Sequence, residues 1–378
     1  MKGLQETTLS KICHFGLQSS VMSDLKVGYI AIASALAPKA IASIFNKRGT
    51  LSGLVGSDSP KLMQLGLSMN DALTIASIDI KKAQEEYDRL KALGGELITL
   101  ESPEYPELLR EIATPPPLLY ALGNLDCLSK LCIAIVGARM TSKAGERIAT
   151  KIATGLAVAG ATVVSGFAYG IDISAHLATI KASGSAVAVL GSGLANIYPA
   201  KHRKYVADTC KDGCILSELP LDADPHPFHF PKRNRIISGL SRGVLVVEAS
   251  ERSGSLVTAK LAVEQNRDVF AVPTFPLSLN NATNQLIKMG AKLTENALDI
   301  LNEYGHLIDI SAKPTEETDN YDNSPTGRIC KVLAIEPLTI DELVDKVNIG
   351  YSELAALLME MELAGKINRE SDGKYINA

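Results

Sequence analysis

The sequence predicts an α/β protein: a parallel-sheet core between a small helical domain and a C-terminal unit of three helices and a hairpin. Three observations predict it. Across the middle of the chain, runs that are apolar throughout alternate with helix-length amphipathic stretches. That is the pattern of strands buried on both faces by crossover helices. Before them, Ile30, Ala33, Ser34 and Ala37, then Ile41, Ile44 and Phe45, recur at helical spacing. After them, the polar, acidic stretch Lys313-Pro314-Thr315-Glu316-Glu317 reads as part of a linker. A length of 378 residues fits two or three domains, and the expected units are a helical domain at 1–94, the core at 95–310, a linker at 311–325 and a last domain at 326–378.

Taken in order, Met1–Ser23 lacks the basic and apolar regions of a secretory signal. Asn46-Lys47-Arg48-Gly49 closes a helix with basic residues followed by Gly. Lys81 to Leu93 is a charged amphipathic helix stopped by Gly94-Gly95, and Glu96–Leu100 is a short strand. Pro115-Pro116-Pro117 suits neither a helix nor a central strand and marks an extended connector. Core strands follow at Cys132–Val136, Thr162–Ser165, Ala186–Leu190, Gly213–Leu216, Gly243–Glu248 and Asp268–Val272. Helical stretches such as Lys143–Ala159 and Ser255–Asn266 join them. Beyond the linker, Gly327–Ala334, Thr339–Val347 and Ser352–Ala364 read as helices, and Asp372-Gly373 as a hairpin turn. Three helices and a hairpin make a winged-helix pattern.

Composition narrows the function classes. A hydrophobic fraction of 46% excludes a largely disordered chain, and a net charge of -4 excludes a globally basic nucleic-acid binder while leaving room for a local basic patch. No apolar run approaches the ~18 residues of a membrane span. The cysteines have no C-x-x-C spacing and read as reduced thiols of a cytoplasmic protein.

The motifs sit at strand ends. Gly137 in Val136-Gly137-Ala138-Arg139 lets backbone amides approach an anion at the start of the next helix, and Arg139 adds a forked donor suited to phosphate. This is not a dinucleotide fingerprint. Ser165-Gly166, after the next strand, is a second candidate anion site. Asp172 and His176 share a helix face; Asp172 is expected to cap the helix and His176 to be a hydrogen-bonded structural group. Tyr198-Pro199-Ala200-Lys201-His202-Arg203-Lys204 concentrates cations. Pro225 to Arg235 interleaves His226, Phe228, His229 and Phe230 with Lys232, Arg233 and Arg235. Bases stack on Phe while Lys and Arg neutralise phosphates, which is the chemistry of single-strand binding. Ser253-Gly254-Ser255, at a helix start, is a third anion candidate whose plainer reading is N-capping. His226 and His229 lack a third ligand at metal-site spacing. No catalytic residue, metal or cofactor is expected.

Together and in this order, these segments resemble the DNA-processing protein A family, also called DprA or Smf. Ile135-Val136-Gly137-Ala138-Arg139, Ser165 to Asp172, Tyr198-Pro199, Leu216-Ser217-Glu218, Phe230 to Ile237 and Arg252 to Leu256 carry the resemblance. It implies a Rossmann-like core with a helical, sterile-alpha-motif-like N-terminal domain. It also implies a single-stranded DNA-binding recombination mediator that dimerises and loads the RecA recombinase in natural transformation. Arg139 is then expected in the phosphate pocket, with Phe230, Lys232, Arg233 and Arg235 along the strand path and Gly137, Lys201 and Arg203 contributing. Three positions depart from the family pattern: Pro227 replaces a basic residue, Thr274 a Gly, and Asn281-Ala282-Thr283-Asn284 a Gly-containing turn.

Two other readings compete. One is an enzyme acting on a nucleotide or phosphoribosyl compound. The other is a transcription regulator acting through residues 324–378. Its recognition-helix candidate, however, carries Glu353, Glu360 and Glu362 and no cation, which suits a phosphate-lined groove poorly. An apolar edge containing Ile287, Met289 and Leu293, then Leu298, Ile300 and Leu301, is the expected dimer face.

Overall fold

The computed structural model describes residues 24–275, 281–305, 307, 324–333, 337–370 and 373–377. The readings of Met1–Ser23, most of the linker and Asp372 lie outside these residues. Among them, no helix is long and apolar enough to cross a membrane.

Helices α1 (residues 24–35), α2 (Pro38–Arg48), α3 (Ser59–Gln64), α4 (Met69–Ala76) and α5 (Ile80–Ala92) open the chain. Side chains of Asp58, Ser68 and Asp79 accept from first-turn amides of α3, α4 and α5, and Gly49, at φ 74°, ends α2. The apolar faces do not form a core of their own. Ile41, Leu54, Leu62, Ile75 and Leu90 join Leu97, Ile98 and Leu119 of the sheet in one continuous cluster.

The sheet follows as β1 (Glu96–Thr99), α6 (Glu107–Arg110), β2 (Leu118–Gly123), β3 (Cys132–Val136), α7 (Lys143–Val158), β4 (Thr162–Ser165), α8 (Ile171–Lys181) and β5 (Ala186–Val189). It continues through α9 (Val206–Asp212), β6 (Cys214–Ser217), α10 (His229–Leu240), β7 (Gly243–Val246), α11 (Gly254–Glu264) and β8 (Asp268–Ala271). Then come α12 (Ala282–Lys288), β9 (Lys292–Leu293) and α13 (Ala297–Leu301). The nine strands lie in the order β1-β2-β6-β5-β4-β3-β7-β8-β9. From β6 to β9 all neighbours are parallel; β1 and β2 add antiparallel at one edge, β2 on β6. The strand at Leu118–Gly123 is thus an antiparallel edge extension that apolar character alone had not distinguished.

The strand side chains alternate between two cores. Cys132, Ala134 and Val136 face the cluster shared with the N-terminal helices, while Ile133 and Ile135 face α7, α8 and α13 through Ile152, Leu156 and Ile300. The chain leaves β3 toward β4, β5 and β6, then returns to pair β7 on the other side of β3. In open sheets of this kind, ligands bind outside the C-terminal strand ends at such a switch point. The described cysteines are all free, with Cys127, Cys132 and Cys214 buried.

The expected dimer edge divides. Met289 is 83% exposed and Leu293 46% exposed, but Ile300 and Leu301 are core residues packed on Phe270 and Tyr304. They cannot contribute to a surface.

The last helices α14 (Pro325–Leu333), α15 (Ile340–Val347) and α16 (Tyr351–Leu363) and the hairpin β10 (Ile367–Arg369)–β11 (Tyr375–Asn377) form the winged helix. Ile329, Leu343, Leu354, Leu358 and Ile367 make a core separate from the other two. Thr339 and Glu342 form a capping box at α15.

Candidate nucleic-acid interface

The loops that leave the C-terminal ends of β3 to β7 form one rim. Close backbone contact sets the first part of it. Ile171 N–H donates to the Ala138 carbonyl at 3.2 Å. Gly170 sits at φ 76°, where a Cβ would stand 2.3 Å from that same oxygen. A Cβ on Gly137 would stand 2.5 Å from Ile171 Cγ1. Both glycines are therefore required for the β3–α7 and β4–α8 loops to lie against each other.

Arg139 is exposed at the head of this pair of loops. Its guanidinium lies 5.2 Å from the centroid of the Phe230 ring, a cation–π contact. Phe230 is placed by the first turn of α10. Its ring covers Gly191, where a Cβ would meet Phe230 Cδ1 at 2.7 Å. Tyr198, 40% exposed, leans on it at 5.7 Å between centroids. Lys201 and Arg203 are exposed on the turn after Tyr198, with Arg203 donating to Asn196 Oδ1 at 3.3 Å. Buried His202 ties that turn to the β4–α8 loop through Phe167 O at 2.8 Å. Lys232 and Arg252 are also exposed on the rim.

The other two cations of the α10 motif turn inward, and this corrects the expectation of a continuous basic strand path. Arg233 is 6% exposed. Its Nη1 donates to the carbonyls of Gly166, at 2.8 Å, and Val189, and Nε donates to Asn234. Burial lowers its guanidinium to about 10; Asp172 opposes that shift, and the like charge of Arg139 adds to it. Arg235 pairs with Glu218, and both side chains are nearly buried. On a helix whose other face packs on the sheet, successive basic residues cannot all face solvent. Lys232 takes the outer position.

The candidate anion cradles are filled from within. At α7 the Glu248 carboxylate accepts from Ser142 N at 3.0 Å, from Thr141 Oγ1 at 2.8 Å and from Ser142 Oγ. A Cβ on Gly145 would collide with it at 2.4 Å. After β4, Gly166 N and Ala168 N donate to Asp172 Oδ2 at 3.1 and 3.4 Å, while the Ser165 hydroxyl donates to the Ile135 carbonyl at 2.6 Å. Ser165 and Gly166 therefore have no donor directed outward. Asp172 ties the preceding loop rather than capping the helix, whose N-cap is Gly170. Burial holds its carboxyl above the usual range, against the pull of Arg233 and the loop amides. At α11, Ser253 is the N-cap and its hydroxyl bonds that of Ser255 at 2.7 Å; Gly254 alone stays exposed. His176 is fully buried, and its ring nitrogens form no well-aligned hydrogen bond. Burial lowers it to about 3, so it is neutral at ordinary pH.

The sequence motifs contain Glu218, Glu248 and Asp172, but not their role as internal hydrogen-bond acceptors. For Glu218 and Glu248 the available signal was a carboxylate at the end of an apolar strand, which is tolerated in a buried position only when fully hydrogen-bonded. Two of the departures from the family pattern meet each other. Thr274 N donates to Asn284 Oδ1 at 3.0 Å, Asn284 Nδ2 donates to Thr274 O at 2.7 Å, and the Thr274 and Thr283 hydroxyls bond at 2.6 Å. Each altered segment supplies the partner of the other. Ala282, from the same turn, is buried and donates its N–H to Ala249 O. No group of three or more metal-ligating side chains is found among the described residues.

Comparison with known proteins places this geometry. The family model described as DNA recombination-mediator protein A matches residues 96–305, and that of the DprA winged helix domain matches 312–373. Protein Smf of Escherichia coli K12 is 37% identical over 318 residues, covering 82% of this chain and 85% of that one. The DNA processing protein DprA of Streptococcus pneumoniae is 44% identical over 201 residues, covering 53% and 71%. The X-ray structure of DNA processing protein A from S. pneumoniae matches with a TM-score of 0.65 at 34% identity, over 73% of this chain and 96% of that one. A structure of DNA processing protein A from Helicobacter pylori, reported for its single-stranded DNA binding mode, matches with a TM-score of 0.51 at 30% identity, over 56% and 96%. The chain belongs to the DNA recombination-mediator protein A family, with the DprA winged helix at its C-terminal end.

Proposed function

We propose that this protein is a cytoplasmic, single-stranded DNA-binding recombination mediator that loads RecA recombinase on incoming DNA in natural transformation, acting as a homodimer. The observation that carries the reading is the Arg139–Phe230–Tyr198 cluster on the rim: a cation over one ring, with a second ring beside it. A nucleobase stacks on such rings whatever its identity, while Arg139, Lys201, Arg203, Lys232 and Arg252 neutralise phosphates along the rim. The H. pylori structure, reported for its single-stranded DNA binding mode, supports it. The runner-up, a nucleotide or phosphoribosyl enzyme, needs an open phosphate cradle, and Glu248 and Asp172 occupy the amides that would form it. The rim offers the protein a binding role with no catalytic step.

The test is fluorescence anisotropy with single- and double-stranded oligonucleotides across a salt series. The expected result is preferential binding of the single strand, little sequence preference and a steep fall of affinity with salt. Equal affinity for both forms would overturn the reading. RecA filament assembly on a strand precoated with single-strand-binding protein tests the loading step, and light scattering at micromolar concentration tests the dimer.

A further inference from the structure

We propose that the turn His226-Pro227-Phe228-His229 is a second base-stacking platform, separate from the Arg139–Phe230 cluster, that takes an unpaired nucleobase. The proposal rests on the single-strand reading above and adds a contact to it. His229 N–H donates to the His226 carbonyl at 2.8 Å, closing a β-turn. Pro227 holds its second position, where a fixed φ suits the turn, and Phe228 the third, at φ -77° and ψ -14°. The proline that replaces the family's basic residue has thus exchanged one charge for a rigid turn.

The turn raises Phe228 into solvent, where it is 63% exposed. The His226 ring lies 4.1 Å from it between centroids, and the His229 ring 4.6 Å from it in edge-to-face contact. A single exposed aromatic is ordinary. A ring in contact with two imidazoles, on a proline turn leading into the helix that carries Phe230, is organised before any ligand arrives. Little rotamer freedom is left to lose on binding. Lys232 stands four residues beyond Phe228, on the same side of the first turn of α10, and is exposed. It is placed to meet the phosphate beside a stacked base.

The experiment compares the full-length protein and two variants, Phe228→Ala and Phe228→Tyr. Each is titrated into oligo-dT and into an abasic strand of equal length, with Arg139→Ala as a reference. Because Phe228 is exposed, both variants are expected to keep the wild-type melting curve. The expected result is a loss of about tenfold on oligo-dT for Phe228→Ala, no loss on the abasic strand, and recovery with Phe228→Tyr. Equal losses on both strands would overturn stacking at this turn. So would an unchanged Phe228→Ala alongside a weakened Arg139→Ala, which would leave the single-strand reading standing. Failure of the wild type to bind oligo-dT would overturn both.

Discussion

At the β3 and β4 ends of the rim, loop amides face the carboxylates of Glu248 and Asp172. At the β5 and β6 ends, Tyr198, Phe230 and Lys232 reach the surface, with Arg139 leaning across from the first half to meet them. Both halves sit at strand ends where α/β proteins commonly bind phosphate. One half has satisfied its donors internally and acts as a rigid base. The other keeps rings and exposed cations for a ligand. A site of this kind is poorly suited to a compact nucleotide held by many amides, and well suited to a polymer held at intervals along its length.

The strongest way to break the contrast is to strip the open half. The double variant Arg139→Ala/Phe230→Ala should lose about hundredfold in single-strand affinity, ~2.7 kcal/mol, similarly for all sequences. A much smaller loss in anisotropy titrations would move the binding surface elsewhere. Removing an internal acceptor from the sealed half should act on stability instead. Glu248→Ala leaves Ser142 N–H and two hydroxyls without their acceptor. It should cost about 2 kcal/mol in denaturant unfolding, since unsatisfied buried donors carry that order of penalty, while changing DNA affinity little.

His176, beneath the sealed half, sharpens the contrast through pH. Its folded value of about 3 lies below the ordinary 6.5, so the unfolded chain takes up the proton first. The stability that depends on neutral His176 is complete above pH 6.5 and is lost as pH falls toward 3. At one unit below the ordinary value the loss is about 1.4 kcal/mol. His176→Leu should flatten that slope between pH 7.5 and 5.5 in melts run at ~0.15 M salt. Comparing the two proteins at each pH sets aside the raised carboxyl of Asp172, which pulls the other way. The smallest effect is expected from the last domain. Truncation after Ile310 removes a winged helix with its own core and should change single-strand affinity by less than about tenfold, ~1.4 kcal/mol.

Much of this was legible in the chain. Strands such as Cys132–Val136 are apolar on both faces, so burial between helix layers followed directly, and the winged helix came from three helical stretches and a hairpin signal. Gly137, Arg139, Phe230 and Lys232 were legible as candidates because their types fit nucleic-acid chemistry, and all four lie on the rim. What stayed hidden was direction. Lys232, Arg233 and Arg235 are alike as letters, yet α10 turns the first outward and the others toward Val189 and Glu218. Ser165 and Gly166 suggest an anion site, and there is an anion, but it is the protein's own Asp172. The partner of a donor is fixed by tertiary packing, which local spacing does not encode.

The Glu248 carboxylate at the start of α7 has one more consequence. Any cell that handles DNA is full of free nucleotides, whose phosphates would compete for an open cradle. A cradle that already holds a covalently attached anion cannot be poisoned by that pool. On the proposed single-strand reading, discrimination in favour of long strands then needs no extra recognition element, because short ligands would find too few of the spaced contacts that a strand engages together.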